Sequence, residues 1–191
     1  MATWYMFNFQ DSNSPYMDNL ISFYNLTMTI MTMIITLILF IMIDIYKNKY
    51  SNRFFLKNHT LEIIWTLTPM MILIYICFPS LKTLYYIDEV LNPYFSIKAI
   101  GHQWFWSYEY PELLNIEFDS YMINNSDNLN FFRLLDTDNH MVVPTKIPIR
   151  MMTTSTDVIH AWTIPSLGIK MDSVPGRINH MNLFTLRHGI S

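Results

Sequence analysis

From Leu26 to Ile43 the chain reads LTMTIMTMIITLILFIMI, with no charged residue and threonine as its only polar type. A helix rises ~1.5 Å per residue, so an apolar run of about 18 to 20 residues spans the hydrocarbon core of a bilayer. Threonine hydroxyls can bond back to helix carbonyls and do not spoil such a span. The pattern predicts a transmembrane helix over about 26–45. A second apolar run, Ile63 to Tyr86, is interrupted by Pro69, Pro79 and Lys82. Pro69 falls in the first two turns and Pro79 near the exit, positions where a kink or bend is tolerated. Trp65, Tyr75, Tyr85 and Tyr86 suit an interfacial aromatic belt. This run predicts a second span over 63–86, with Cys77 inside it as an apolar filler.

The pattern changes after Asp88. Short β-prone pieces follow: FSIKAIGHQWFWSYEY (95–110), IEFDSYMI (116–123), the polar tract INNSDNLN, HMVVPTKIPIRMMTTS (140–155) and DVIHAW (157–162). Ile147, Ile149, Met151 and Thr153 alternate with Pro148, Arg150 and Met152, as in a half-buried strand. Strands at such spacing predict a β-sandwich or barrel of about 100 residues. The expected division is an N-terminal segment with the helical hairpin over 1–90, and a β-domain over 91–191.

Charge orients the hairpin. Lys47, Lys49, Arg53 and Lys57 crowd the loop between the spans, while residues 1–25 contain neither Lys nor Arg. The excess of positive charge places the loop inside and both termini outside. A secretory signal would need a basic start followed directly by an apolar run, and neither is present. Only 14% of residues are charged and the net charge is −3, so the chain has no basic footprint for nucleic acid. One cysteine excludes an internal disulfide framework.

Several residues could carry chemistry. Trp104 and Trp106 stand two apart, so a strand would put them on one face, as core aromatics or as a surface that takes up an electron or anchors a partner. Glu109, Glu112, Glu117, Asp119, Asp136, Asp138 and Asp157 make the β-domain acidic, which suits a solvated face or steering of a basic protein. Glu62, one residue before the second run, either complements the helix dipole or opens a proton path. His160 is a packed residue or a ligand, since imidazole suits copper, zinc and iron. His102, His180 and His188 share no metal-ligand spacing with it.

Two spans followed in order by GHQWFWSYEY, EFDSYMI, RLLDTDNHMVVP and DVIHAWTIPSLGIKMDSVPGRIN closely resemble the cytochrome c oxidase subunit II family of mitochondrial type. The resemblance runs from Phe9 to about Gly189. It implies a membrane α+β protein, a two-helix hairpin followed by a cupredoxin-like β-sandwich, in the mitochondrial inner membrane with both termini in the intermembrane space. It further implies electron transfer from cytochrome c through a dinuclear copper centre to the haem-copper subunit I, with oxygen reduction coupled to proton pumping. Residue by residue, Trp104 matches the tryptophan where electrons enter and Trp106 belongs to the same aromatic box. His160 matches the first histidine ligand of the copper pair. Glu62 matches the carboxylate at the mouth of a proton path. Glu109, Asp119, Asp138 and Asp157 match acids that dock cytochrome c.

The resemblance also sets a difference. In the family an arginine-proline-glycine turn leads to a loop with two cysteines, a glutamate, a second histidine and a methionine. These complete the copper site, and the glutamate helps to hold magnesium. Here Arg187-His188-Gly189 occupies the turn, with histidine in place of proline, and the loop is not among the 191 residues. A dinuclear copper site needs bridging soft thiolates, which one imidazole cannot replace. The expectation is an incomplete sandwich, the N-terminal part of a subunit II that is split or given in part. A continuation or a separate C-terminal chain would complete the copper site, and this chain alone would be inactive. The alternative is a copper-free structural subunit of a quinol-oxidising relative, or an inactive scaffold. Retention of His160 and of the Trp104 box argues against that.

Overall fold

A computed structural model describes residues 6–88, 92–123 and 134–190; most of the INNSDNLN tract, Glu89 and Arg133 lie outside them. The contacts divide the chain into two compact units. One is the hairpin over Asn19–Tyr85, and the other joins Met1–Asp18 with Tyr86–Ser191. The N-terminal segment, grouped above with the hairpin, thus packs on the β-domain.

Two long helices make the hairpin: α1 (Pro15–Lys47) and α2 (His59–Asp88). Each contains the predicted span and is long and apolar enough to cross a membrane. Ser14 caps α1, its Oγ accepting the Met17 N–H at 3.0 Å, and Pro15 opens the first turn where its missing N–H costs nothing. The threonines of α1 behave as the sequence predicts: the hydroxyls of Thr27, Thr29, Thr32 and Thr36 donate to carbonyls three or four residues back, at 2.7–2.9 Å. Asn58 caps α2, with its Oδ1 accepting the Leu61 N–H at 3.2 Å. Pro69 and Pro79 both lie inside α2, which continues to Asp88.

Among the described residues, seven strands build the other unit: β1 (Phe95–His102), β2 (Phe105–Tyr110), β3 (Ile116–Ser120), β4 (Ile149–Ser155), β5 (His160–Ile164), β6 (Ile169–Ser173) and β7 (Asn179–Leu183). A five-stranded sheet runs in the order β3-β2-β1-β4-β7, and β5 pairs with β6 in a second, two-stranded sheet. Only β1 and β4 pair in parallel; the other partners are antiparallel. The alternation read from the sequence holds in β4, where Ile149, Met151 and Thr153 are fully buried. Ile149 and Met151 join Phe95, Ile97, Tyr108, Trp162, Leu167 and Leu183 in one core between the sheets. The expected cupredoxin-like sandwich is thus realised in the part of the chain that follows the two helices.

The N-terminal segment is tied to this sandwich by specific bonds. Asn13 N–H donates to Ser166 O at 2.9 Å, and its carbonyl accepts from Leu186 N–H at 2.9 Å. The Ser14 hydroxyl donates to Leu167 O at 2.6 Å. Gly168 turns there with φ 69°, and a Cβ on it would lie 3.0–3.3 Å from Met17, so this close approach requires glycine.

Candidate functional site

The β1–β2 turn and the loop leading into β5 meet at one corner of the sandwich. Trp104 lies in the turn and is 88% exposed, whereas Trp106, in β2, is half-buried against the core. The expectation that the two share a face is therefore overturned. The strand begins only at Phe105, so Trp104 escapes its alternation and stands on the surface.

His160 opens β5 with its side chain 18% exposed. Its ring meets Trp106 edge-on, with centroids 5.9 Å apart and planes at 67°. Its Nε2–H donates to Asp157 Oδ1 at 2.7 Å. The same oxygen accepts the Val158 N–H at 2.7 Å and lies 3.0 Å from Ser155 Oγ. The His160 hydrogen bond, ahead of those from Val158, Ser155 and the Gln103 N–H, holds the Asp157 carboxyl well below the usual carboxylate range, against a smaller opposing effect of desolvation. Asp157 thus fixes the imidazole at the corner where the turn carries Trp104. With Nε2 engaged, Nδ1 is the nitrogen left for a metal, and a carboxylate behind a histidine fixes its tautomer and orientation.

A second group lies on the other side of β1. His102 stacks on Phe105, with centroids 4.5 Å apart and planes at 9°, and Phe105 stacks on Tyr121 at 4.4 Å. Ser107 Oγ lies 2.5 Å from His102 Nε2, and Thr156 Oγ1 lies 2.9 Å from Nδ1. Both histidine nitrogens thus have partners. Asp138 Oδ1 accepts the N–H groups of Tyr121 and Asn139, each at 2.7 Å, and Asp119 Oδ2 lies 3.5 Å from the Tyr121 hydroxyl. Desolvation first, then these two carboxylates, push the Tyr121 hydroxyl up. Asp119 and Asp138 therefore gather near the turn that exposes Trp104. Glu109 stands further along β2 in a 2.9 Å ion pair with Lys98. Phe105 and Tyr121 were not singled out from the sequence; only their aromatic character close to Trp104 hinted at them.

Other candidates lie apart. Glu62 is exposed in the first turn of α2, 3.7 Å from His59 Nδ1. Cys77 is exposed on α2. His188 Nδ1 lies 3.4 Å from Thr145 Oγ1, and His180, in β7, pairs with Met152 of β4. Neither is brought to His160. Among the described residues no three His, Cys, Asp or Glu side chains group as metal ligands. The donor set around His160 does not by itself fit a dinuclear copper centre, because a thiolate bridge is required and the one cysteine is in α2. Beside the corner runs a groove of about 770 Å³, lined among others by Trp104, Trp106, Leu134, Val142, Trp162 and Ile190. β5 pairs with β6 alone among the described residues.

Comparison with known proteins gives this arrangement a family. The model of the cytochrome c oxidase subunit II periplasmic domain matches residues 95–191, and that of its transmembrane domain matches residues 2–83. The chain belongs to the cytochrome c oxidase subunit II family. Cytochrome c oxidase subunit 2 of Apis mellifera ligustica is 67% identical over 190 residues, covering 100% of this chain and 84% of the relative. The subunit of Lasius sp is 56% identical over 191 residues with the same coverage of both. Among solved structures, the periplasmic domain of subunit II of cytochrome oxidase of Bradyrhizobium japonicum is 42% identical, with a TM-score of 0.48 over 53% of this chain and 70% of that one. This subunit II family member is a membrane protein with two spans, and its relatives are components of an oxidase.

Proposed function

We propose that this chain forms the part of a cytochrome c oxidase that receives cytochrome c outside the mitochondrial inner membrane and takes up its electron. The observation that carries the reading is the shared Asp157 carboxylate. It holds the Nε2 of His160 at 2.7 Å at the corner where the β1–β2 turn exposes Trp104, and Trp106 of the same hairpin meets the imidazole edge-on. Trp104 offers an aromatic face to a partner, and Asp119, Asp138 and Glu109 would draw a basic one towards it. His160 would supply one copper ligand through Nδ1. The thiolates, the second histidine, the methionine and the magnesium ligand would come from residues outside 1–191, on a continuation or a second chain. The groove beside β5, which pairs with β6 alone among the described residues, supports such an addition, because a strand edge next to apolar surface favours strand pairing.

The remaining roles follow the same reading. The apolar faces of α1 and α2 would meet lipid, the haem-copper subunit I and other oxidase subunits. Glu62 would stand at a proton-path mouth. The basic loop from Lys47 to Lys57 would face the matrix. The bonds from Asn13 and Ser14 to the β-domain support placing that segment on the domain's own side of the membrane.

The test is made on the assembled oxidase. His160→Ala is expected to remove the outer-domain copper and its optical signature while the hairpin stays inserted; a normal copper spectrum would sink the ligand role. Trp104→Ala is expected to slow electron uptake from cytochrome c with copper content intact, and an unchanged rate would remove Trp104 from the path.

A further inference from the structure

Gly101 is one of only four glycines in the chain, and it sits inside a strand, where glycine otherwise weakens pairing. It is buried in β1, opposite Trp106 of β2 on one side and Ser155 of β4 on the other. Its φ lies outside the left-handed region, so the backbone there would accept any residue. The obstacle is the imidazole. A Cβ at position 101 would stand 2.8 Å from Cδ2, 3.0 Å from Cγ and 3.1 Å from Cβ of His160. Carbon atoms at rest are about 3.5–4.0 Å apart.

We propose that Gly101 is the positioning residue of His160: its missing side chain is the seat on which the imidazole rests. Turning the ring moves the two nearest atoms away only by taking it off Asp157, and the His160 Cβ, which does not move with χ1, stays close at 3.1 Å. The ring is also held from two other directions, by Asp157 at Nε2 and by the edge of Trp106. A side chain at 101 must therefore push β5 from β1 or turn the imidazole off Asp157. Either change moves Nδ1 away from where the fold presents it. The inference rests on the ligand role proposed for His160, but the seat itself is steric and needs no metal.

A double-mutant cycle on the full chain in detergent tests it. Gly101→Ala should lower the unfolding midpoint of the β-domain, and most of that drop should vanish in a His160→Ala background, where the two nearest atoms are gone. If Gly101→Ala fails to fold, the double variant should fold again. An equal penalty in both backgrounds, or no recovery of folding, overturns the proposal. Modification of His160 by diethyl pyrocarbonate, with exposed His180 as internal reference, should speed up about ten-fold in Gly101→Ala, as loss of a charge-assisted hydrogen bond implies. An unchanged rate likewise overturns it. The ligand role stands or falls separately, on the copper content of the oxidase carrying His160→Ala.

Discussion

The helical hairpin and the β-domain use apolar residues in opposite ways. In α2 no side chain is buried by the rest of the chain, and bulky residues such as Leu73 are 67% exposed. In β1 the alternate residues Phe95, Ile97 and Ala99 are all buried, the last two completely. The helices satisfy their own backbone hydrogen bonds, so they need only an apolar surrounding, which lipid and neighbouring subunits provide. The strands satisfy theirs only by pairing, and pairing closes a core. Precision therefore collects in the β-domain, and the candidate site lies where its sheet ends.

The largest effect that would break this contrast is in the core. Ile97→Ala is expected to cost about 2–5 kcal/mol of β-domain stability. Leu73→Ala should leave the chain's own stability within about 0.5 kcal/mol. Near-ultraviolet circular dichroism of the solubilised full chain, followed through denaturation, separates the two. A comparable loss from Leu73→Ala would mean that the hairpin carries a core of its own.

Ser14 sharpens the contrast at the start of α1. Its buried hydroxyl caps the helix and also bonds Leu167 O. Ser14→Ala should cost about 1–2 kcal/mol. The loss should appear as faster hydrogen exchange at Met17 and around residues 166–168, with the span beyond Asn19 unchanged. Exchange that rises along the whole helix would show that the cap governs the span as well.

What the sequence disclosed follows the same division. Both spans were legible because hydrocarbon thickness is nearly their only constraint. The β4 alternation was legible because one of its faces is buried. β7, NHMNL, was not, since Asn182 lies buried among its apolar neighbours and spoils the pattern. The turn at Gln103–Trp104 was hidden too: neither residue is a turn former, so Trp104 looked like part of a strand. His160 and Asp157 could be named from their motif, but their hydrogen bond could not, because it depends on how the loop before β5 folds back. Gly101 was not singled out, since nothing in the sequence says which ring comes close to it.

A smaller effect tests the core through its polar atoms. The Tyr108 hydroxyl accepts the Trp162 Nε1–H at 3.3 Å, and burial pushes its pKa above the ordinary 10.0. The folded domain thus keeps a proton that the unfolded chain gives up as pH passes 10. Stability from this group is complete below that value and is lost as pH rises towards the folded pKa. Tyr108→Phe should cost about 1 kcal/mol at neutral pH, through the lost hydrogen bond. It should also make the decline above about pH 10 shallower. An unaltered alkaline limb in thermal melts would place the titrating group elsewhere.

The smallest effect separates two carboxylates that the sequence could not tell apart. Asp119 is exposed beside Tyr121, while Asp157 is spent on His160, Val158 and Ser155. A charge that only steers a partner acts through solvent and is screened by salt. Asp119→Asn should therefore raise the KM of the oxidase for cytochrome c by roughly two- to five-fold at low ionic strength, as an exposed charge pair implies, and hardly at all at high salt. Asp157→Asn leaves an amide oxygen but removes the charge that strengthens the imidazole hydrogen bond, so its effect on electron uptake should persist at high salt. It should also be accompanied by faster modification of His160. Equal salt dependence of the two variants, with unchanged modification, would give Asp157 the docking role proposed for Asp119 and leave Gly101 and Trp106 to hold the ring.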